Sequence, residues 1–245
     1  MAAAAHSPLE QFTIARIIPI HIGRLDLSYT NAALLMTIAV ALATLLLVAA
    51  TARPALVPSR LQSVAELLYE FVAGMVRDTV GDEGRRYFPL VFSIFIFILF
   101  GNLLGLVPYS FTFTGQIIVT FALALFVFLF VTVLALIRHR IRFFPFFFPP
   151  GAPIVMAPLL VPIEIISYLT RPVSLSLRLF ANMLAGHTML AVFAGFTVAL
   201  GIFGFWLPLA FNVALIALEL VINVLQAYVF AILTCLYLSD AIHLH

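Results

Sequence analysis

Lysine is absent from this chain of 245 residues, charged side chains make up only 9% of it, and there is one cysteine, Cys235. Without lysine, every side-chain cation other than a protonated histidine is an arginine, which keeps its charge at any accessible pH. A lone cysteine inside an apolar run excludes a disulfide framework and any cysteine-based metal site. The net charge of +2, carried by scattered arginines, excludes a nucleic-acid surface. No phosphate-binding glycine loop, nucleophile triad or cluster of metal ligands is present, so no nucleotide, metal or other cofactor is expected, and no catalysis by the chain alone. Met1 to Ala5 carries no basic cluster, and neither a secretory signal nor an Arg-rich transit peptide is expected.

What is present is apolar: 64% of the residues are hydrophobic, well above the roughly half expected of a soluble domain. The composition predicts an all-α polytopic membrane protein, with about five membrane-embedded helices and one interfacial amphipathic helix in a single domain. Apolar runs at Ala32 to Ala50, Phe88 to Val107 and Ile117 to Ile137 each have about the twenty residues needed to cross a bilayer. The expected layout is an N-terminal segment 1–31, a first span 32–52, an interfacial helix 59–81, two spans within 87–137 and a Pro/Phe-rich connection 138–158. In the interfacial segment Val64, Leu67, Leu68, Phe71, Met75 and Val76 recur at helical spacing beside Glu66, Glu70, Arg77 and Asp78.

Arginines set the expected orientation. Arg53, Arg60, Arg77, Arg85 and Arg86 follow the first span, Arg138, Arg140 and Arg142 follow the third, and the loop Pro108 to Gln116 has none. The N-terminus is therefore expected outside and the C-terminus in the cytoplasm. Residues 159–240 contain two apolar runs, Leu159 to Ile202 and Phe205 to Ser239. Helices of that length measure roughly 50 to 65 Å against a hydrocarbon core of about 30 Å, so a strongly tilted or bent hairpin is expected, turning at Gly201, Phe203 and Gly204.

This hairpin holds nearly all the polar residues placed at membrane depth, where each ionisable group costs about 2.5 to 3.5 kcal/mol even on the lenient insertion scale. At 100° per residue, Glu164, Ser167, Arg171, Ser174, Arg178 and Asn182 fall within about 40° of Arg178 if the helix continues past Pro172. Asn212, Glu219, Asn223 and Gln226 form a similar stripe on the second helix, and two facing stripes would make a hydrated path. Folding about residue 203 brings His187 and Glu219, each 16 positions from it, to one depth, and sets Arg178 near the level of Gln226. Along the helix, Glu164 lies roughly 21 Å from Arg178 on the inner side and His187 roughly 13 Å on the outer side. Titratable groups thus flank a permanent cation, as a two-segment proton route with a barrier requires. The arginine cannot relay a proton, but it can stabilise a carboxylate that has lost one. That carboxylate is expected on another protein.

PLEQF near the start, GNLLGLVPYSFTFTG at 101–115, VPIEIISYLTRPVSLSLRLFANMLAGHT at 161–188 and ELVINVLQAYVFAILTCLY at 219–237 resemble the a subunit of F-type ATP synthases. The resemblance implies a non-catalytic stator subunit beside a rotating ring of c subunits, with b-type peripheral stalk subunits as further partners. It identifies Arg178 with the family's essential arginine, Asn182 with the neighbouring asparagine of RLFxN, and Gln226 with the glutamine of the last helix. His187 and Glu219 resemble the outer half-channel pair in its mitochondrial and alphaproteobacterial arrangement, and favour protons as the coupling ion. Glu164 resembles an inner acidic position. As the resemblance implies, protons enter through Asn212, Glu219, His187 and Asn223, and leave near Glu164. A bacterial inner membrane is the expected location, with the mitochondrial inner membrane as the alternative.

Structural readings compete at several positions. Arg178 as a snorkelling side chain, His187 as a packing histidine on the helix face opposite Arg178, and Asn182, Asn212, Asn223 and Gln226 as interhelical glue are the alternatives. Ser174, placed with the path, competes with a serine bonding a carbonyl one turn back. Gly101 and Gly105, with Asn102 between them, are expected to pack helices. Arg171 either anchors its helix at the headgroups or lines the inner channel. A secondary transporter would call for repeats and broken helices, a haem or quinone subunit for two deep histidines. A scaffold would leave two stripes of costly residues unexplained.

Overall fold

The computed structural model describes residues 13–243 except 20, 23–24, 27, 53–54, 56, 108–109 and 141–155. The start of the chain and the Pro/Phe-rich turn Phe143 to Pro153 therefore lie outside the described residues. Six long helices follow one another: α1 (Asn31–Thr51), α2 (Arg60–Val80), α3 (Phe88–Gly105), α4 (Ile117–His139), α5 (Ala157–Ala199) and α6 (Trp206–Ile242). All except α2 are long and apolar enough to cross a membrane. The expected all-α polytopic architecture is the one observed, with one addition. Two short antiparallel pairs precede α1, Arg16–Ile18 with Tyr29–Thr30 and His21–Ile22 with Leu25–Asp26.

Local chemistry sets the helix boundaries. The Thr30 hydroxyl accepts from the Ala33 amide, capping α1, and Gly81, with φ +82°, takes a backbone conformation that ends α2 at little cost. Helix α5 runs through Pro162 and Pro172 for 43 residues, so the condition for one continuous polar stripe is met. A single helical turn, Gly201–Gly204, links α5 to α6. Gly201 there has φ +61°, which suits a residue without a Cβ.

The described residues form two compact units. The first comprises residues 1–65, 96–116 and 179–228. Within it the upper parts of α5 and α6 are antiparallel: Phe193 stacks on Phe211 at 5.1 Å, His187 meets Glu219, and Asn182 meets Gln226. The expected depth match of His187 with Glu219 holds, whereas Gln226 takes Asn182 as its partner.

The connection from α3 to α4 is folded into this unit, with Phe111 through Gly115 all buried. The Phe113 ring occupies the notch where Gly101 has no side chain and lies 5.4 Å from the Phe97 ring. Gly105 faces Thr112, whose Oγ1 and Cγ2 would stand 2.9 Å from an added Cβ. Gly101 and Gly105 therefore seat a loop, where the sequence led us to expect a helix. The motif requires close approach, and a loop satisfies that as well as a helix does.

The second unit comprises residues 66–95, 117–178 and 229–245. Glu83 and Arg138 form an ion pair, and His139 Nε2 lies 2.9 Å from the Ala241 carbonyl oxygen. These contacts bring the connection after α2, the end of α4 and the end of α6 together. That is the clustering expected if all three lie on one side of a membrane. Val72, Met75, Val76 and Val80 of α2 are buried, while Leu67 and Phe71 are exposed. The apolar positions of α2 thus divide between the protein and its surroundings.

The buried loop yields a test. With Cys235→Ser as background, Thr114→Cys is expected to react with a water-soluble maleimide about tenfold more slowly than Val107→Cys, because local opening must precede reaction. Thr114 is 2% exposed and Val107 54%. Equal rates would show that residues 111–115 are not packed as described.

Candidate functional site

The polar side chains of α5 and α6 fall into differently satisfied groups. In the first unit His187 and Glu219 are both buried, at 7% and 5% exposure. Their closest atoms, His187 Nε2 and Glu219 Oε1, are 3.5 Å apart, which is ion-pair distance but too long for a good hydrogen bond. The same Nε2 lies 3.1 Å from the Thr112 hydroxyl. Glu219 approaches α5 this closely because residue 186 is glycine: an added Cβ there would sit 2.7 Å from Glu219 Oε1. Beside the carboxylate is a cavity of about 160 Å³, lined by Asn182, Ala185, Gly186, Met189, Leu215 and Leu218 among others.

Asn182 Nδ2 donates to Gln226 Oε1 at 2.8 Å. Asn223 and Asn102, both fully buried, donate their side-chain amides to each other's backbone carbonyls at 3.4 and 3.3 Å. Asn223 is thus partly the helix glue of the structural reading. Yet Asn102 Oδ1 and Asn223 Oδ1 find no hydrogen-bond partner in the chain. Neither do Thr114 Oγ1, Asn212 Oδ1, both Glu219 oxygens or Gln226 Nε2. All seven buried partnerless side-chain atoms among the described residues belong to the first unit. Each costs roughly 1 to 3 kcal/mol if left dry, so seven such atoms call for ordered water to meet them.

In the second unit Arg171 has three protein partners. Its Nη1 donates to Asp240 Oδ2 at 3.0 Å, and its guanidinium carbon lies 5.2 Å from the Tyr168 ring centre and 5.1 Å from that of Tyr237. Tyr168 in turn shares a 2.7 Å hydrogen bond with Thr132. A planar cation between two rings and a carboxylate is an arrangement lysine could not reproduce. Arg171 is accordingly an anchor between α5 and α6, and its partners are protein groups.

Arg178 stands apart from both arrangements. It is exposed on α5, and no carboxylate of the described residues lies within 4.0 Å of it. Ser167, Ser174 and Asn182 of the same stripe are also exposed, and Glu164 is half-buried. The α6 stripe is instead buried at Glu219, Asn223 and Gln226, and half-buried at Asn212. The sequence suggests that the two stripes face each other. Within the first unit they meet at Asn182 and Gln226, and the buried partner of Glu219 is His187, which is not part of the α5 stripe. Ser176, not Ser174, bonds back to the Val173 carbonyl.

Asn102, Thr112, Thr114, Gly186 and Asp240 were not singled out as site residues from sequence. Asn102 had a signal, an amide within an apolar span, which was read as part of a packing motif. Thr112 and Thr114 lie in a short connection where nothing local reports burial.

A family model described as the ATP synthase A chain matches residues 33–239. The chain belongs to that family. A protein named ATP synthase subunit a from Rhodospirillum rubrum is 55% identical over 240 residues, covering 98% of this chain and 100% of that one. Proteins of the same name from Mesorhizobium japonicum, at 54% over 249 residues, and Pelagibacter ubique, at 52% over 242, are similar over 98% or more of each chain. The family is the proton-translocating membrane subunit of F-type ATP synthase and is not its catalytic part. The relatives are bacterial, in keeping with a bacterial membrane protein of five apolar spans.

Gly186 gives the site its sharpest test. Gly186→Ala places a methyl group against the Glu219 carboxylate and is expected to lower proton-driven ATP synthesis, in vesicles carrying the whole complex, by about tenfold, since a displacement of about 1 Å in a proton path costs that much or more. A native rate would remove this close approach from any functional role.

Proposed function

We propose that this chain provides two offset half-channels that load and unload carboxylates on a rotating c-ring, and that Arg178 keeps them apart. In this reading a proton enters from the outer side by way of Asn212, Glu219, His187 and Asn223 and neutralises a ring carboxylate. Only the neutral carboxyl has a tolerable transfer cost into lipid, so the ring turns in the neutral form. After nearly a full turn the site reaches the inner half-channel near Glu164 and releases its proton. The ionised site is then attracted by Arg178, which cannot give up its own proton and repels a passing hydronium. Protons therefore cross only with rotation.

One observation supports this most directly. Every buried partnerless polar atom among the described residues belongs to the unit holding the His187 and Glu219 pair, whereas Arg178, nine residues earlier on α5, is exposed with no carboxylate beside it. The first arrangement asks for water and protons, the second for an anion supplied by another protein. Asn182 and Gln226 are hydrogen-bonded to each other, which suits the inner end of the outer path, and Ser174 lies on the exposed stripe one turn before Arg178. The positive-inside bias supports an N-terminus outside and a C-terminus in the cytoplasm. Stalk subunits of the b type hold the chain against the torque.

Proton flux through the complete membrane sector in liposomes, with rotation driven or blocked, tests the role of Arg178. Arg178→Ala and Arg178→Lys are expected to reduce coupled flux by about two orders of magnitude or more, and Arg178→Ala to permit a leak that persists when rotation is blocked. Coupled flux surviving both substitutions would refute the assignment.

A further inference from the structure

We propose that Thr112, on the buried connection between α3 and α4, is the positioning residue of His187 and holds its ring at the angle from which it exchanges a proton with Glu219. This deepens the reading of His187 and Glu219 as proton carriers and rests on it. His187 Nε2 lies 3.1 Å from Thr112 Oγ1 and 3.5 Å from Glu219 Oε1. One nitrogen, with one proton or one lone pair, thus has two oxygens within reach, and the nearer is the hydroxyl.

A hydroxyl suits that place because it both donates and accepts. When Nε2 is bare, the Thr112 hydroxyl donates to it; when Nε2 carries a proton, the hydroxyl rotates and accepts. The ring is therefore held in both protonation states, and the proton can pass between Nε2 and the carboxylate without the imidazole swinging away. Glu219 is the titratable group found beside His187, and it has no hydrogen bond of its own to orient it.

The loop is built to put the hydroxyl there. Thr112 is 2% exposed, its carbonyl accepts from the Gly115 amide at 3.1 Å, and Phe113 is keyed into the notch at Gly101. The Thr112 side chain rests against Gly105, where any larger residue would push it off. The two faces of the side chain can be tested separately: valine keeps the shape and loses the hydroxyl, serine keeps the hydroxyl and loses the methyl group.

The experiment measures proton flux through the complete membrane sector in liposomes for Thr112→Val and Thr112→Ser, with His187→Ala and Glu219→Gln as references. Loss of a hydrogen bond to a group that becomes charged is expected to cut flux about tenfold in Thr112→Val, with Thr112→Ser recovering at least half the native rate. If the valine variant does not assemble, Thr112→Ala, which cannot clash, takes its place with the same expectation. Native flux in the hydroxyl-free variant, or a serine variant as slow as it, overturns the proposal. If that happens while the His187 and Glu219 substitutions still abolish flux, only the role of Thr112 fails. If those references also conduct normally, the proton-carrier reading itself fails.

Discussion

A polar atom in a low-dielectric interior must find a partner, and how each one does so explains most of this structure. Apolar surface holds little information here, since helix faces and lipid tails are alike. The polar groups of α5 and α6 are sorted instead by satisfaction. Arg171 is held by Asp240 and two tyrosine rings. Glu219, Asn223 and Gln226 are buried with side-chain atoms left without a partner in the chain, and such buried groups are usually met by ordered water. Arg178 is exposed, with no carboxylate of the described residues within 4.0 Å.

Small residues decide where these groups can come close. Gly186 lets a carboxylate approach the backbone of α5, and Gly101 with Gly105 lets a loop sink against α3. The tolerances are a few tenths of an ångström, and a single methyl group would exceed them. The packing around the His187 and Glu219 pair therefore depends as much on absent side chains as on the ionisable ones.

Much of this was legible in the sequence. The spans stood out by hydropathy, and simple counting from residue 203 paired His187 with Glu219, because two antiparallel helices joined by one turn have little freedom of register. Arg178 and its stripe followed from the helical period. The Thr112 contact did not, since no local pattern tells a connection that folds inward from one that lies in water. The glycine pair announced a close approach without naming what approaches. The two short strand pairs before α1 are only two or three residues long, too short for alternation to register. Counting from residue 203 leaves Gln226, 23 positions after it, equally far in register from Arg178 at 25 before and Asn182 at 21 before, and so could not name the Asn182 hydrogen bond.

The clamp at Arg171 also bears on how the chain is made. Asp240 follows Arg171 by 69 residues, which at about 5 to 20 residues per second is a delay of roughly 3 to 14 seconds during synthesis. Until Asp240 is made, the guanidinium of Arg171 lacks its carboxylate. The clamp can close only after residue 240 has been made, which makes it a late contact between these parts of α5 and α6.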